Sequence, residues 1–251
     1  MQSAPLPSLL RIHLLKKEKK ILLKNTSITL PQKKWSTFLG LSGCGKTTLL
    51  RYLAGLRENT VFSGEIPEFL DASQCVYMGH DPSLLPWKNI LDNIALESLL
   101  YGKKPHKEMI YTLLKSLDLD ESIHRALPQT LSAGMQQRVA LARALYTNRP
   151  AVLLDEPFSA LDAVTRREVH AFAFNHLQKK TVILVTHDIL EAMSLSDHIY
   201  VFHAPSLTIK GPFALSDEKD ASRPRAVDAL MEKQRALYKT LTALLEPNPF
   251  H

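Results

Sequence analysis

The chain has 251 residues, 45% of them hydrophobic, and a formal net charge of +6. This composition excludes a disordered or fibrous chain and supplies core for one large α/β domain or two small ones. Its apolar runs, such as residues 151–154 and 181–185, fall far short of the ~18 residues a membrane span needs.

Two cysteines, Cys44 and Cys75, argue against a disulfide framework and suit a reducing compartment. The first twenty residues carry no charged leader before their apolar positions and no small-residue cleavage site after them. No signal peptide is expected, and the protein is expected to stay in the cytoplasm. The positive balance would suit an anionic membrane or nucleic acid. Much of it comes from Lys16, Lys17, Lys19 and Lys20, however, which read as the solvated turn of a hairpin.

In chain order, residues 9–15 and 21–30 predict two strands around that turn, and residues 35–39 predict a buried strand. A helix is predicted from Thr47, with Leu49, Leu50, Leu53 and Leu56 at helical spacing. Short strands follow at residues 61–66 and 74–78. From Leu85 the spacing turns helical, through Ile90, Ile94, Leu113 and Leu117, with breaks near Gly102 and Pro105. Alternation then resumes: helix 133–146, strand 151–154, helix 163–178, strand 181–186, helix 188–195, strand 198–203. Strands alternating with helices predict a parallel sheet. A final amphipathic helix is predicted over residues 227–245, packed on the surface of the core.

Between the strand at 35–39 and its following helix lies Gly40-Leu41-Ser42-Gly43-Cys44-Gly45-Lys46-Thr47, a complete G-x-x-x-x-G-K-[ST] phosphate loop. The glycines let backbone N–H groups crowd a polyphosphate, Lys46 reaches its terminal phosphates, and Thr47 offers a hydroxyl to Mg²⁺. The helix N-terminus adds roughly half a positive charge. About a hundred residues on, the strand Ala151-Val152-Leu153-Leu154 ends in Asp155 and Glu156. Asp155 is expected to hold Mg²⁺ through water, and Glu156 to polarise the attacking water as general base. Ser132, in Leu131-Ser132-Ala133-Gly134-Met135, is placed to cap a helix whose exposed N–H groups favour an anion.

These motifs, with Ser159-Ala160-Leu161-Asp162 and Thr186-His187-Asp188, resemble the ATP-binding subunit of an ABC transporter. The resemblance implies a P-loop NTPase of α/β class: a RecA-like core, an antiparallel β layer and a helical subdomain. It covers residues 1–211, with the helical subdomain at about 84–148 and a C-terminal helical tail at 212–251. It implies that residues 40–47 and Thr48 hold ATP, with Glu156 and His187 catalytic and Thr47, Asp155 and His80 at the Mg²⁺. It further implies a head-to-tail homodimer, in which Ser132, Ala133, Gly134, Met135 and Asp162 complete the opposite subunit's site. The implied partners are the transmembrane subunits of a permease and, through them, an extracytoplasmic solute-binding protein. Nucleic acid is not an implied partner. The implied location is the cytoplasmic face of the inner membrane.

Four positions depart from the family pattern. Residues 11–34 hold no aromatic to stack on adenine, where a stack contributes ~1–3 kcal/mol. Lys33-Lys34 replaces the usual Gly-Glu, Ala133 replaces the first signature glycine, and His80 stands where a glutamine is usual. Leu84-Leu85-Pro86-Trp87 and Met135 resemble the subfamily that energises import of nitrate, sulfonates, taurine and thiamine-pyrimidine precursors. The rival readings are an ABC ATPase of another transporter class and a soluble P-loop ATPase. Soluble ABC ATPases of DNA repair carry long coiled-coil insertions, and a small-molecule kinase needs no signature helix.

Overall fold

The computed structural model describes residues 8–203, 207–215 and 235–245. Strands β1 (Ser8–Lys17) and β2 (Lys20–Leu30) form an antiparallel hairpin, and β4 (Thr60–Glu65) pairs with the other edge of β1. Both strands of the hairpin run further than their apolar pattern predicts. Only Glu18 and Lys19 make the turn, with Glu18 left-handed at φ 54°. Three of the lysines expected in a loop, Lys16, Lys17 and Lys20, are therefore paired strand residues.

The larger sheet has the order β5-β6-β7-β3-β8-β9. Its central members β3 (Trp35–Leu39), β6 (Ala151–Asp155) and β7 (Thr181–Thr186) are buried at every position. Near-continuous apolar runs of this kind are what a parallel sheet covered on both faces demands. The strands β5 (Cys75–Met78) and β8 (His198–His203) join in parallel, and β9 (Thr208–Ala214) closes the edge antiparallel to β8. This last strand is absent from the predicted elements, and it crosses the boundary expected at residue 211. Gly211 and Pro212 look like chain breakers, but an edge strand tolerates proline because one row of its N–H groups has no ladder partner.

Helix α1 (Lys46–Leu53) lies between the two sheets. Its Leu49, Leu50 and Leu53 share one core with Phe38, Leu153, Ile183 and Tyr200 of the large sheet and Leu10, Ile12 and Leu15 of the small one. The opposite face of the large sheet is covered by α6 (Ala163–Leu177) and a helical region. That region contains α2 (Ile90–Ile94), α3 (Leu96–Leu100), α4 (Lys107–Ser116) and α5 (Ala133–Tyr146). Leu85 and Pro86 precede the first of these helices rather than starting it. Asn89 is the N-cap of α2, accepting from the Asp92 N–H at 2.8 Å. Helices α7 (Ile189–Leu195) and α8 (Arg235–Leu245) flank β8, with Leu241 fully buried beside Met193 and Ile199. Residues 227–234 of the predicted final helix lie outside the described residues.

Candidate nucleotide-binding and hydrolytic site

Strand β3, flanked by β7 and β8, delivers the phosphate loop to the C-terminal edge of the parallel sheet. Two glycines of the loop are required by geometry. Gly45, at φ 103°, caps α1 in a left-handed conformation, and a Cβ there would sit 3.1 Å from Leu22 Cβ. A Cβ on Gly40 would lie 2.9 Å from both Cys44 Sγ and the Phe202 carbonyl oxygen. No side chain caps α1 and no acid occupies its first turn, so its N–H groups and dipole face the loop uncompensated. Lys46 is 5% exposed and donates to the Gly40 and Leu41 carbonyls at 2.7 and 2.9 Å. The loop opens on a cavity of about 500 Å³, lined by Ser42, Gly43, Gly45, Lys46, Thr47, Thr48 and Glu156, and by Lys17, Glu18, Lys20 and Leu22 of the hairpin.

Strand β6 brings the acids to the same edge. Thr47 Oγ1 donates to Asp155 Oδ1 at 3.0 Å, and Tyr77 Oη donates to Asp155 Oδ2 at 3.2 Å. Burial pushes the Asp155 carboxyl above its ordinary value, and the Glu156 charge adds to this; the Thr47 and Tyr77 hydrogen bonds pull the other way. Burial, then the Asp155 charge, raises Tyr77 well above an ordinary phenol, so it acts here as a donor. A hydroxyl and a carboxylate held together are hard oxygen donors of the kind Mg²⁺ takes. Among the described residues no cluster of three or more His, Cys, Asp or Glu could hold a metal.

Glu156 turns the chain out of β6 in a left-handed conformation, φ 49°. Its carboxylate meets His187 Nδ1 at 3.1 Å, and His80 Nδ1 stands 3.9 Å from its other oxygen. His187 follows β7, the strand that lies beside β6, so neighbouring strands place base and histidine together. The phosphate loop, Asp155, Glu156, His187 and His80 are thus gathered at one end of the sheet.

A family model described as "ABC transporter" matches residues 23–159. The chain belongs to the ABC transporter family. A curated relative from Haemophilus influenzae, an uncharacterized ABC transporter ATP-binding protein, is 41% identical over 186 residues, covering 73% of this chain and 77% of that protein. The nitrate import ATP-binding protein NrtD of Synechococcus elongatus is 34% identical over 231 residues, covering 86% and 80%. The aliphatic sulfonates import ATP-binding protein SsuB 1 of Paracoccus denitrificans is 38% identical over 183 residues, covering 71% and 72%. Among solved structures, the dimeric bacterial ABC transporter cassette MJ0796 superposes with a TM-score of 0.72 at 26% identity, covering 84% of this chain and all of the other. The fold is that of an ABC cassette, and the chain is an ATP-binding ATPase subunit of importer-type kinship.

In this ABC cassette the signature residues do not line the chain's own cavity. Ser132 caps α5, accepting from the Met135 N–H at 3.2 Å, and none of Ser132, Ala133, Gly134 or Met135 lines the phosphate-loop cavity. Ala133 opens the helix with ordinary backbone, so glycine's freedom is not needed there. A Cβ on Gly134 would come 3.0 Å from the Ala160 carbonyl oxygen, a tight contact that glycine avoids. Asp162 caps α6, accepting from the Val164 and Thr165 N–H groups at 3.0 and 3.1 Å, and likewise lies outside the cavity.

Two residues at the site, Tyr77 and Gln137, escape sequence reasoning, and Ser159, quoted only within its motif, gains a contact role. Tyr77 is the second donor to Asp155. Ser159 donates to the Glu156 carbonyl at 3.0 Å and stands 3.4 Å from His80 Nδ1. Gln137, 2% exposed, donates to the Glu156 carbonyl at 3.0 Å and accepts from the Ala160 N–H at 2.9 Å. A signal for Gln137 was present: it shares the helical phase of Leu141 and Ala144, a polar residue on the buried stripe of α5.

Proposed function

We propose that this subunit hydrolyses ATP as a head-to-tail homodimer beneath a membrane permease, driving import of a small solute of the nitrate and sulfonate kind. The observation that carries the reading is the convergence, at one sheet edge, of the Thr47–Asp155 pair at 3.0 Å and the Glu156–His187 pair at 3.1 Å. Thr47 and Asp155 would hold Mg²⁺, which would supply charge neutralisation on the phosphates. Lys46 leaves the loop carbonyls for the terminal phosphates, while the α1 N-terminus and loop N–H groups cradle the rest. Glu156 accepts a proton from the attacking water as its oxygen bonds to the γ-phosphorus and the bond to the β-phosphate oxygen breaks. His187 fixes the carboxylate's orientation and lies within reach of the transferred phosphoryl group. His80, beside Ser159, would be a further donor to that ion.

The absence of the signature residues from the lining of the chain's own cavity supports the dimer. Ser132 and the α5 N-terminus serve the partner's triphosphate, so closure depends on ATP and hydrolysis reverses it. The permease docks on the helical region, and a solute-binding protein delivers solute from the far side of the membrane. The relatives named for nitrate and sulfonate import support the solute class. The cassette itself sits peripherally on the cytoplasmic face. None of the described helices is long and apolar enough to cross a membrane.

Steady-state hydrolysis and equilibrium binding test the roles. Lys46→Ala is expected to abolish ATP binding, whereas Glu156→Gln is expected to keep binding and lower turnover at least a hundredfold. A Glu156→Gln protein that hydrolyses ATP at near the wild-type rate would overturn the assignment.

A further inference from the structure

The ring of His187 is placed by the backbone that carries it. Its side chain is 60% exposed, and among the described residues its ring is hydrogen-bonded to the Glu156 carboxylate. The chain passes at once from His187 into Asp188, the N-cap of α7, whose side chain accepts from the Leu190 and Glu191 N–H groups. Helix α7 has seven residues, too few to be stable alone, so its position depends on what it docks against. Ala192, Met193 and Leu195 are buried and supply apolar contact. Such contact is non-directional and does not by itself fix the rotation of the helix.

Two polar rungs from α6 fix that rotation. Arg166 Nη1 stands 4.0 Å from Asp188 Oδ2, and its Nη2 donates to the Leu161 carbonyl at 2.8 Å. His170, one turn further along α6, places Nε2 3.1 Å from Glu191 Oε1. The second rung is the stronger constraint, because both of its members are buried. A buried carboxylate deprived of its donor is costly, so the bond holds the two helices in one relation. The carboxylate only accepts, and Nε2 therefore carries the ring proton. The His170 ring also meets Phe158 edge-on, with centroids 4.4 Å apart and planes at 70°. Phe158 is buried two residues after Glu156. His170 thus touches both the helix that follows His187 and the segment that leaves Glu156, while lying outside the lining of the nucleotide cavity.

We propose that His170 is a positioning residue for hydrolysis, holding His187 in register with Glu156 through its bond to Glu191 and its contact with Phe158. The proposal rests on the reading of Glu156 and His187 as the catalytic pair and names what sets their geometry.

ATP hydrolysis by the full chain tests it, with each variant assayed at a temperature where circular dichroism shows it folded. His170→Phe keeps a ring against Phe158 and removes the donor. It is expected to lower kcat about tenfold and to leave the ATP KM within about twofold, since no cavity residue is changed. His170→Gln offers Glu191 an amide N–H in place of the ring N–H, and its kcat is expected within about threefold of wild type. His170→Asn, whose shorter amide falls short of Glu191, should lose activity as His170→Phe does. Packing alone predicts the opposite order, because phenylalanine fills the site better than glutamine. In a His187→Ala background His170→Phe should change kcat by less than about twofold, because residues that act as a unit are not additive. Wild-type kcat in both His170→Phe and His170→Asn would overturn the proposal, as would a rise in KM alone or an undiminished loss in the His187→Ala background. His187→Ala hydrolysing at the wild-type rate would instead defeat the reading of the catalytic pair, and the proposal with it.

Discussion

Glu156 occupies a left-handed conformation that costs a non-glycine residue on the order of 1–3 kcal/mol, and its surroundings hold it there. Its N–H donates to the Val185 carbonyl at 2.9 Å, and its carbonyl accepts from Gln137 and Ser159. With both backbone groups committed, the carboxylate is aimed at His187 rather than along the strand. Cys75 behaves oppositely to a reactive cysteine. Burial, then the Asp71 charge, pushes the Cys75 thiol up to about 11 from its ordinary 9.0. The reactive thiolate is therefore about a hundredfold scarcer at neutral pH than in an unperturbed cysteine. Iodoacetamide labelling of the folded chain followed by peptide mass spectrometry should find Cys75 slow at pH 8, its rate rising about tenfold per pH unit until near 11. Labelling at the rate of a free thiol would contradict the burial of this strand.

At the scale of elements, α5 ties the site together. Gln137 near its start holds the Glu156–Ala160 segment, and Arg143 near its end donates to the Pro82 and Ser83 carbonyls at 2.7 and 2.9 Å, fixing the loop that carries His80. Gln137→Leu keeps the volume but removes these bonds. It is expected to lower kcat at least tenfold while leaving the ATP KM within about twofold, since no nucleotide contact is lost. A KM rise with kcat unchanged would place Gln137 at the nucleotide instead. The sheet strands and α5 were legible because their apolar runs and helical phase are strong and their caps explicit. The phosphate loop and Asp155-Glu156 were legible because their chemistry permits few other residue types. Other features depend on contacts distant in sequence, which no local pattern records. Tyr77 and Gln137 look like ordinary strand and helix residues until β6 is placed beside them. Strand β9 is hidden by Gly211 and Pro212, tolerable only because the strand is at an edge. The lysines at the hairpin tip read as solvated until the hairpin folds over the loop.

For the whole molecule, two surfaces are suited to the proposed partners. Asn93, fully buried, accepts from the Leu85 N–H at 2.7 Å and donates to the Leu85 and Lys88 carbonyls at 3.1 and 2.9 Å. This clamps the Pro86-Trp87 turn and leaves Trp87 71% exposed, a rigid aromatic anchor suited to an interface. Trp87→Ala is expected to leave the melting temperature within about 1 °C, because an exposed side chain away from caps and charges contributes little to stability. It should weaken permease association, measured by co-purification of the assembled transporter, at least tenfold. A large fall in melting temperature with undiminished association would instead make Trp87 a packing residue. The other surface carries the signature helix start, exposed at Ser132 and outside the lining of the chain's own cavity. The central claim is that this start completes the ATP site of a second copy. Light scattering coupled to size exclusion of the Glu156→Gln protein, with saturating ATP and Mg²⁺, tests it most directly. The account predicts twice the mass of one 28.2 kDa chain with ATP, and one mass without it or when Ser132→Arg is added. A Glu156→Gln protein that stays monomeric with ATP, or that dimerises equally well carrying Ser132→Arg, would contradict the shared site.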